Sequence, residues 1–247
     1  MDTAFIIGNG ESRNIFPIEK LKGKGEIYGC NAIFRDHPSL CDHIVAVNPP
    51  MYDEVKSWHD AQTDSKIKLY GINDISEWDY VCEGDKENDV PKGLKIYRIW
   101  RGGNLKKGSL KTEDFTQNRG SGCSAVLLAA ESGIKNVVIL SFDILGARQW
   151  EADEPSRLQN NIYKNTLNYP DRQSMKAYLK YEWMYQLRQT FLKFPETNFY
   201  FINRREYIDG NAFMRWYFDC PNIKIGIYAD LMRYISGQRD DIRWKHL

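Results

Sequence analysis

Three asparagines stand directly after apolar, strand-like runs, each beside a tight turn. Asn9 lies in a Gly-Asn-Gly turn, Asn31 follows Gly-Cys, and Asn48 precedes two prolines. A carboxamide both donates and accepts hydrogen bonds, so three of them at one site can bind a base edge and ribose hydroxyls. Gly8 and Gly10 would let a ligand approach the backbone closely. The alternative is that asparagine is simply a favoured turn residue after a strand.

A second candidate is the glycine-rich turn before an alanine-rich helical stretch. Ser121 and Gly122 lie in this turn, where backbone N–H groups and the positive end of a helix dipole suit a phosphate. Ser12 is a further candidate for a phosphate contact at a helix N-terminus. The turn lacks the lysine of an ATP-hydrolysing phosphate loop. The alternative is a serine N-cap with glycines needed only for packing.

The elements around these candidates predict an α/β fold with an open, mostly parallel, Rossmann-like sheet. Apolar runs ended by turn residues alternate with helical stretches, which is typical of such sheets. Asn136–Ser141 is apolar throughout, as expected for a strand buried on both faces, and the helix Ser121–Ser132 before it should stop at Gly133. The expected strands are Thr3–Ile7, Glu26–Tyr28, His43–Val47, Lys66–Ile72, Leu94–Trp100, Asn136–Ser141 and, as the last strand, Asn198–Ile202. Since the carboxyl ends of parallel strands face one crevice, the three asparagines are expected to meet there.

The predicted organisation is one α/β domain over residues 1–205 followed by an appendage over residues 206–247. The domain includes an insertion at 50–119 and a polar segment at 146–172 that resembles a lid, because long loops in compact domains are usually functional. A helix is predicted over Gln173–Lys193, where apolar residues recur four apart.

Composition limits the class of protein. The 247 residues carry a net charge of +1, so no global field favours nucleic acid or membrane. The five cysteines include no C-x-x-C pair, which favours a reducing compartment over disulfides or structural zinc. No apolar run reaches membrane-spanning length and the first residues lack the pattern of a signal peptide, so a cytoplasmic protein is expected. Residues 53–89 are rich in acidic side chains and residues 92–119 are rich in basic ones. Both stretches can be solvent-exposed faces; alternatively, the basic stretch forms the rim of a binding site for a polyanion.

Five motifs in order resemble a known group of proteins: FIIGNGESR, YGCNAIFRD, AVNPP, RGSGCSAVLLAAESG and VVILSFDI. Together they resemble glycosyltransferase family 42, the bacterial sialyltransferases that use a CMP-sugar, with the related hydroxymethylpterin diphosphokinase-like proteins. They are also similar to uncharacterised bacteriophage proteins that open with GNG-x-S and CNA-x-x-R-D. The resemblance covers about residues 3–145 and thins to a helix and a strand near 173–203.

The resemblance implies a nucleotide-sugar-binding domain. By position, the residues that match the family's nucleotide site are Gly8, Asn9, Gly10, Asn31, Asn48, Ser121, Gly122 and Asp143, and Ser12 is added to this nucleotide site from its place in the sequence. It also implies a CMP- or UDP-linked sugar as co-substrate, with no metal and no other cofactor.

The catalytic positions depart from the family pattern. A tyrosine pair that helps the phosphate leave is replaced by Ile144 and Leu145, so the candidates for that role are Arg148, Tyr163, Tyr169 and Arg172. The histidine expected before the long helix is missing. Asp171 lies nearest to its place and is the candidate general base, the alternative being a helix N-terminal aspartate after Pro170.

These features predict a metal-independent glycosyltransferase. The proposed acceptors include saccharides, lipids and a hydroxymethylated pyrimidine of bacteriophage DNA in the host cytoplasm. For DNA, the 92–119 stretch would supply charge, and Trp100, Arg101 and Trp150 are candidates for stacking on a base. Two alternatives stay open: pyrophosphoryl transfer from ATP of the pterin-kinase type, and a non-catalytic nucleotide- or nucleic-acid-binding module.

Overall fold

The computed structural model describes residues 2–63, 65–71, 120–144, 161–169, 177–205, 220–238, 242 and 244–246. The predicted strand Leu94–Trp100, most of the insertion at 50–119 and part of the lid at 146–172 lie outside the described residues.

One sheet organises the described part of the chain. Its strands are β1 (Thr3–Ile7), β2 (Glu26–Cys30), β3 (His43–Val45), β4 (Lys68–Tyr70), β5 (Asn136–Leu140), β6 (Asn198–Asn203), β7 (Ile223–Ile227) and β8 (Lys245–His246). They lie in the order β4-β3-β2-β1-β5-β6-β7-β8. The pairs from β4 to β7 are all parallel, and only the edge pair β7–β8 is antiparallel. The predicted α/β, Rossmann-like fold is therefore confirmed.

Four α-helices among the described residues cover the two faces of the sheet: α1 (Pro49–Asp60), α2 (Ser121–Glu131), α3 (Ala177–Lys193) and α4 (Tyr228–Ile235). Val126 of α2 and Leu187 of α3 pack into one core with alternate residues of the central strands. Val55 of α1 and Leu231 of α4 pack into the core on the opposite face. Strand β1 is buried on both faces because helices lie on both sides of it, which explains its continuous apolar run.

Most element boundaries agree with the sequence to within a few residues. Helix α2 ends one residue earlier than expected, and Gly133 follows it with φ +77°, the left-handed conformation that glycine adopts most readily. The expectation that Asn198–Ile202 is the last strand is wrong, since β7 pairs with β6 and β8 extends the sheet. Lys224 and Gly226 interrupt the apolar run of β7, so its pattern does not look like a buried strand.

The strand order reverses beside β1. The chain moves from β1 to β2, β3 and β4 on one side, and β5, β6 and β7 then add on the other side. Because the connections leave β1 and β5 in opposite directions, a crevice opens at the carboxyl ends of these two strands. Ligands of open α/β sheets bind at this switch point.

A buried histidine cluster lies on the β2–β3–β4 side of the sheet. His43 is 6% exposed, and its ring stacks on Tyr28 with centroids 4.0 Å apart. Its Nε2 lies 3.0 Å from Glu26 Oε2 and its Nδ1 lies 3.3 Å from the Tyr70 hydroxyl. Burial lowers the pKa of His43 below 6.5, although Glu26 acts in the opposite direction.

The His43 cluster should make the fold acid-sensitive. Since the folded state favours the neutral ring, the unfolded chain binds a proton that the folded chain does not once the pH falls below 6.5. The free energy of unfolding should then decrease by up to about 1.4 kcal/mol per pH unit until the lowered pKa is reached. Urea unfolding from pH 7.5 to 5 should show a shallower pH slope for His43→Gln than for His37→Gln, a control near the surface. Equal slopes in the wild type and His43→Gln would contradict the assignment.

Candidate functional site

A cavity of about 160 Å³ occupies the switch point. It lies where β1, β2 and β5 end and where α2 begins, so the elements of the fold bring their turns to one place. The predicted site residues in its wall are Gly8, Asn9, Gly10, Asn31, Ser121, Gly122 and Asp143. Cys30, Cys123, Ser141, Phe142, Ile144, Asn161 and Trp183 also line it.

Asn31 presents an unpaired acceptor in this wall. It follows β2 with φ +51°, a conformation that asparagine tolerates better than most residues. Its side chain lies beside the Tyr169 hydroxyl. Its Oδ1 is buried and has no hydrogen-bond partner. Because a buried polar atom without a partner costs free energy, this oxygen is suited to a donor from a bound ligand.

Asn9 is held by several protein contacts. Its Nδ2 donates to the Cys30 carbonyl at 3.0 Å and to the Tyr169 hydroxyl at 3.4 Å. Its Oδ1 accepts from Arg13 at 3.3 Å. This carboxamide therefore joins the end of β1 to the end of β2, so that the crevice keeps its shape.

Gly8 and Gly10 are required by the contact between β1 and β5. A Cβ on Gly8 would lie 2.5 Å from the carbonyl oxygen of Ser141, and a Cβ on Gly10 would collide with the Asp143 carboxylate. The Gly8 N–H donates to the Leu140 carbonyl at 2.8 Å and the Gly10 N–H donates to the Ser141 carbonyl at 3.0 Å. The turn after β1 needs glycine because the turn after β5, its neighbour in the sheet, packs directly against it.

Asp143 and Ser12 bind each other inside the protein. Asp143 is 9% exposed, and its Oδ2 accepts the Ser12 N–H at 2.9 Å. Its Oδ1 accepts the Ser12 hydroxyl at 2.6 Å and the Asn203 amide at 3.0 Å. Ser12 is 1% exposed and lies in a short 3-10 turn, Glu11–Ile15. Its N–H and hydroxyl are therefore already engaged within the protein, and its contact with a phosphate stays a prediction.

Tyr228 extends this polar network. Its hydroxyl lies 3.1 Å from Ser12 Oγ and 2.9 Å from Ser141 Oγ. Burial raises the pKa of Tyr228, so the phenol stays protonated. The sequence analysis missed Tyr228 and Asn203. Asn203 carries the same signal as the predicted asparagines, since it stands at the end of an apolar strand.

The N-terminus of α2 forms another part of the wall. Gly120 is its N-cap, and the amides of the first helical turn have no acceptor within the helix. The Ser121 hydroxyl accepts the Val47 N–H at 3.1 Å, which ties α2 to the end of β3. A Cβ on Gly122 would lie 2.7 Å from the ring of Phe142. An anionic group in the cavity would meet the positive end of this helix dipole.

Asn48 lies apart from the other two predicted asparagines. It is exposed at the N-cap position of α1 and lies outside the group of described residues that line the cavity. The structure thus brings Asn9 and Asn31 into one cavity and leaves Asn48 at the surface. Its role toward a nucleotide stays a prediction.

Residues 161–169, the only described part of the predicted lid, pack over the ends of β1 and β2. The Ile162 N–H donates to the Asn9 carbonyl at 3.0 Å. The Tyr169 hydroxyl contacts the side chains of Asn9 and Asn31, and burial raises its pKa to about 12. Tyr169, a candidate for assisting the leaving phosphate, is therefore placed directly behind the two carboxamides as a protonated phenol.

Arg13 anchors this 161–169 segment from below. It is 3% exposed and donates to the Tyr163 hydroxyl and to Asp36, both at 2.9 Å. Its guanidinium also lies 5.3 Å from the centre of the Tyr163 ring. Burial raises the pKa of Tyr163, so this hydroxyl remains protonated. The sequence analysis gave Arg13 no role, because its partner Tyr163 is 150 residues away.

Arg35 holds the outer end of the segment. Its guanidinium donates to both carboxylate oxygens of Glu54 at 2.7 Å, to the Thr166 hydroxyl at 2.7 Å and to the Leu167 carbonyl at 2.8 Å. The Asn168 amide completes the cluster through Glu54 at 2.7 Å. The planar guanidinium of an arginine carries several N–H donors, so these contacts can form at the same time.

The other catalytic candidates, Arg148, Asp171 and Arg172, lie outside the described residues, as do Trp100, Arg101 and Trp150. Within the described ranges, no group of three or more His, Cys, Asp or Glu side chains is placed to hold a metal ion. No helix in the same ranges has the length and apolar character needed to cross a membrane.

Comparisons with family models, curated proteins and solved structures find no match to this chain.

Proposed function

We propose that this chain is a metal-independent glycosyltransferase that binds the nucleotide of a nucleotide-sugar donor in the switch-point crevice. The observation that carries the proposal is the buried, unpaired Oδ1 of Asn31 in the same cavity as the N-terminus of α2. A nucleotide can satisfy both features of the cavity. Its ribose or base can donate a hydrogen bond to the Asn31 oxygen, and its phosphate can bind at the N-terminus of α2.

The chemistry follows from the resemblance to family 42. The acceptor hydroxyl attacks the anomeric carbon of the sugar, and the bond from that carbon to the phosphate oxygen breaks. The acceptor proton passes to Asp171, and the negative charge leaves with the nucleotide. Arg148 and Arg172 are the candidates for stabilising the departing phosphate, while the protonated Tyr169 supports the carboxamides of Asn9 and Asn31. Positioning of the two substrates supplies a large share of the rate.

The acceptor is proposed to be a hydroxymethylated pyrimidine of bacteriophage DNA. The support is the basic stretch 92–119 together with the similarity to bacteriophage proteins. An enzyme that modifies a base within a duplex must reach it in the major groove or flip it out. Incubating donor, enzyme and hydroxymethyl-containing DNA, followed by mass analysis of the nucleosides, tests this acceptor separately from donor binding.

A non-catalytic nucleotide-binding module is the second candidate. It is favoured by the state of the ionisable groups in the described cavity wall: Asp143 is bonded to Ser12 and Asn203, and burial raises the pKa of the Cys30 thiol. The Asp143 oxygens are thus already engaged as hydrogen-bond acceptors, and the Cys30 thiol stays protonated at neutral pH. Turnover of a CMP- or UDP-linked sugar, measured as nucleotide release, would exclude this candidate.

Nucleotides should stabilise the protein without metal. At 100 times its dissociation constant, a ligand adds about 2.7 kcal/mol to the free energy of unfolding. A thermal-shift panel of CMP, UMP, UDP, ADP and GDP measures this effect. The variant Asn31→Gly keeps the backbone conformation but removes the acceptor, and it should bind the stabilising nucleotide about tenfold more weakly.

The matched control is Asn14→Gly, which removes the same side chain from an exposed position outside the described cavity wall. It should leave the dissociation constant within about twofold. If ATP with Mg²⁺ is the only ligand that stabilises the wild type, the glycosyltransferase proposal is dropped in favour of pyrophosphoryl transfer from ATP. An equal loss of nucleotide affinity in the two variants would show that Asn31 does not bind the nucleotide.

A further inference from the structure

Trp183 places an aromatic ring in the wall of the crevice. It projects from α3, is half-buried, and lines the same cavity as Asn31 and the first turn of α2. In the sequence, Trp183 has the spacing of an ordinary helical core residue. Its position beside the cavity results from the packing of α3 against α2.

The indole packs against Gly120, and two further contacts tie this part of α3 to the start of α2. A Cβ on Gly120 would lie 2.8 Å from Trp183 Nε1, so the absence of a side chain there makes room for the ring. One turn further along α3, Gln186 accepts the Gly120 N–H at 2.9 Å. The Cys123 thiol also donates to the Trp183 carbonyl at 3.5 Å. The ring therefore has a defined place directly beside the N-terminus of α2.

The cavity wall offers the first turn of α2 to an anionic group and an aromatic ring to a flat one. Of the described residues that line it, none is lysine or arginine. Phe142, the other lining aromatic residue, is only 7% exposed and its ring packs against Gly122. Trp183 is thus the ring better placed to stack on a ligand, and stacking on a heterocycle tolerates any base.

We propose that Trp183 stacks on the base of the bound nucleotide while the phosphate lies at the N-terminus of α2. This inference rests on the proposed nucleotide site and adds a binding determinant to it. It requires the ligand to contain an aromatic heterocycle, so a sugar phosphate without a base should bind by its phosphate alone.

The experiment compares CMP, UDP and ribose 5-phosphate by isothermal titration calorimetry. Trp183→Leu keeps apolar bulk but removes the ring, and it should weaken the nucleotide about tenfold to a hundredfold. Affinity for ribose 5-phosphate should stay within about twofold. Trp183→Phe keeps an aromatic face and should restore most of the nucleotide affinity.

The control is Trp244→Leu, which removes an indole that packs on Tyr200 and Tyr234, outside the described cavity wall. It should change neither affinity. If the wild type binds CMP or UDP and Trp183→Leu binds it equally well, the inference is overturned and the proposed function stands. Equal weakening of nucleotide and ribose 5-phosphate would also overturn it, since Trp183 would then act only on structure. If the wild type binds neither nucleotide, the proposed function and the inference both fail.

Discussion

Replacing Asp143 by alanine should lower the free energy of unfolding by about 3–5 kcal/mol. The carboxylate accepts three hydrogen bonds, from the Ser12 N–H, the Ser12 hydroxyl and the Asn203 amide. Ser12 is 1% exposed and Asn203 is fully buried, so water cannot replace the lost acceptor without rearrangement. The loss would separate the turns that end β1, β5 and β6, and with them the wall of the crevice.

Urea unfolding of Asp143→Ala measures this loss, and a nucleotide thermal shift should disappear with it. Asp143→Asn keeps the shape but directs an amide at one of the donors, so it should cost less than alanine and more than the control. The control is Asp53→Ala, which removes an exposed carboxylate from α1 and should change stability little. A change below about 1 kcal/mol in Asp143→Ala would show that the network does not hold the three turns together.

Replacing Arg13 by leucine should lower the free energy of unfolding by about 2–4 kcal/mol and release the 161–169 segment. Hydrogen bonds to a charged group contribute about 1.5–3 kcal/mol each, and Arg13 donates to Tyr163, Asp36 and Asn9. Asp36 is 48% exposed, so its carboxylate can turn to water and the loss is smaller than for a fully buried pair. The Tyr163 hydroxyl cannot turn to water in this way.

Amide hydrogen exchange separates this local release from general destabilisation. The Ile162 amide, which donates to the Asn9 carbonyl, should exchange much faster in Arg13→Leu. The amides of the buried central strands should follow only the change in global stability. Arg13→Lys should give an intermediate result, because one ammonium group cannot reproduce the planar set of N–H donors of a guanidinium. Lys20→Ala, at an exposed position, serves as the control. Unchanged Ile162 exchange in Arg13→Leu would mean that the segment is held by other contacts.

Both predictions concern residues that only the folded structure brings together. Asp143 and Ser12 are 131 residues apart, and Arg13 and Tyr163 are 150 apart. Neither pair leaves a local pattern in the sequence, since periodicity and turn residues report only on neighbours within about one element. Asn31 was found because it follows a strand. That its oxygen lacks a partner while Asn9 is fully engaged depends on where Tyr169 packs.

The failure to find β7 has a related cause. The sequence of β7 alternates apolar residues with Lys224 and Gly226, but it is only 5 residues long and glycine is uncommon inside strands. Pairing with β6 nonetheless buries Ile223, Ile225 and Gly226. Tertiary pairing here outweighs a weak local preference.

By itself, the sequence determined the α/β class, the central strands, the stop of α2 at Gly133 and the meeting of several strand ends at one crevice. These follow from short-range rules, because burial on two faces demands apolar runs and turns demand particular backbone conformations. Only the tertiary structure decided which polar atoms at that crevice are engaged and which stay unpaired, and that Trp183 stands in its wall. Hydrogen-bond satisfaction and packing depend on partners distant in the chain, so they are fixed only when the sheet and its helices come together.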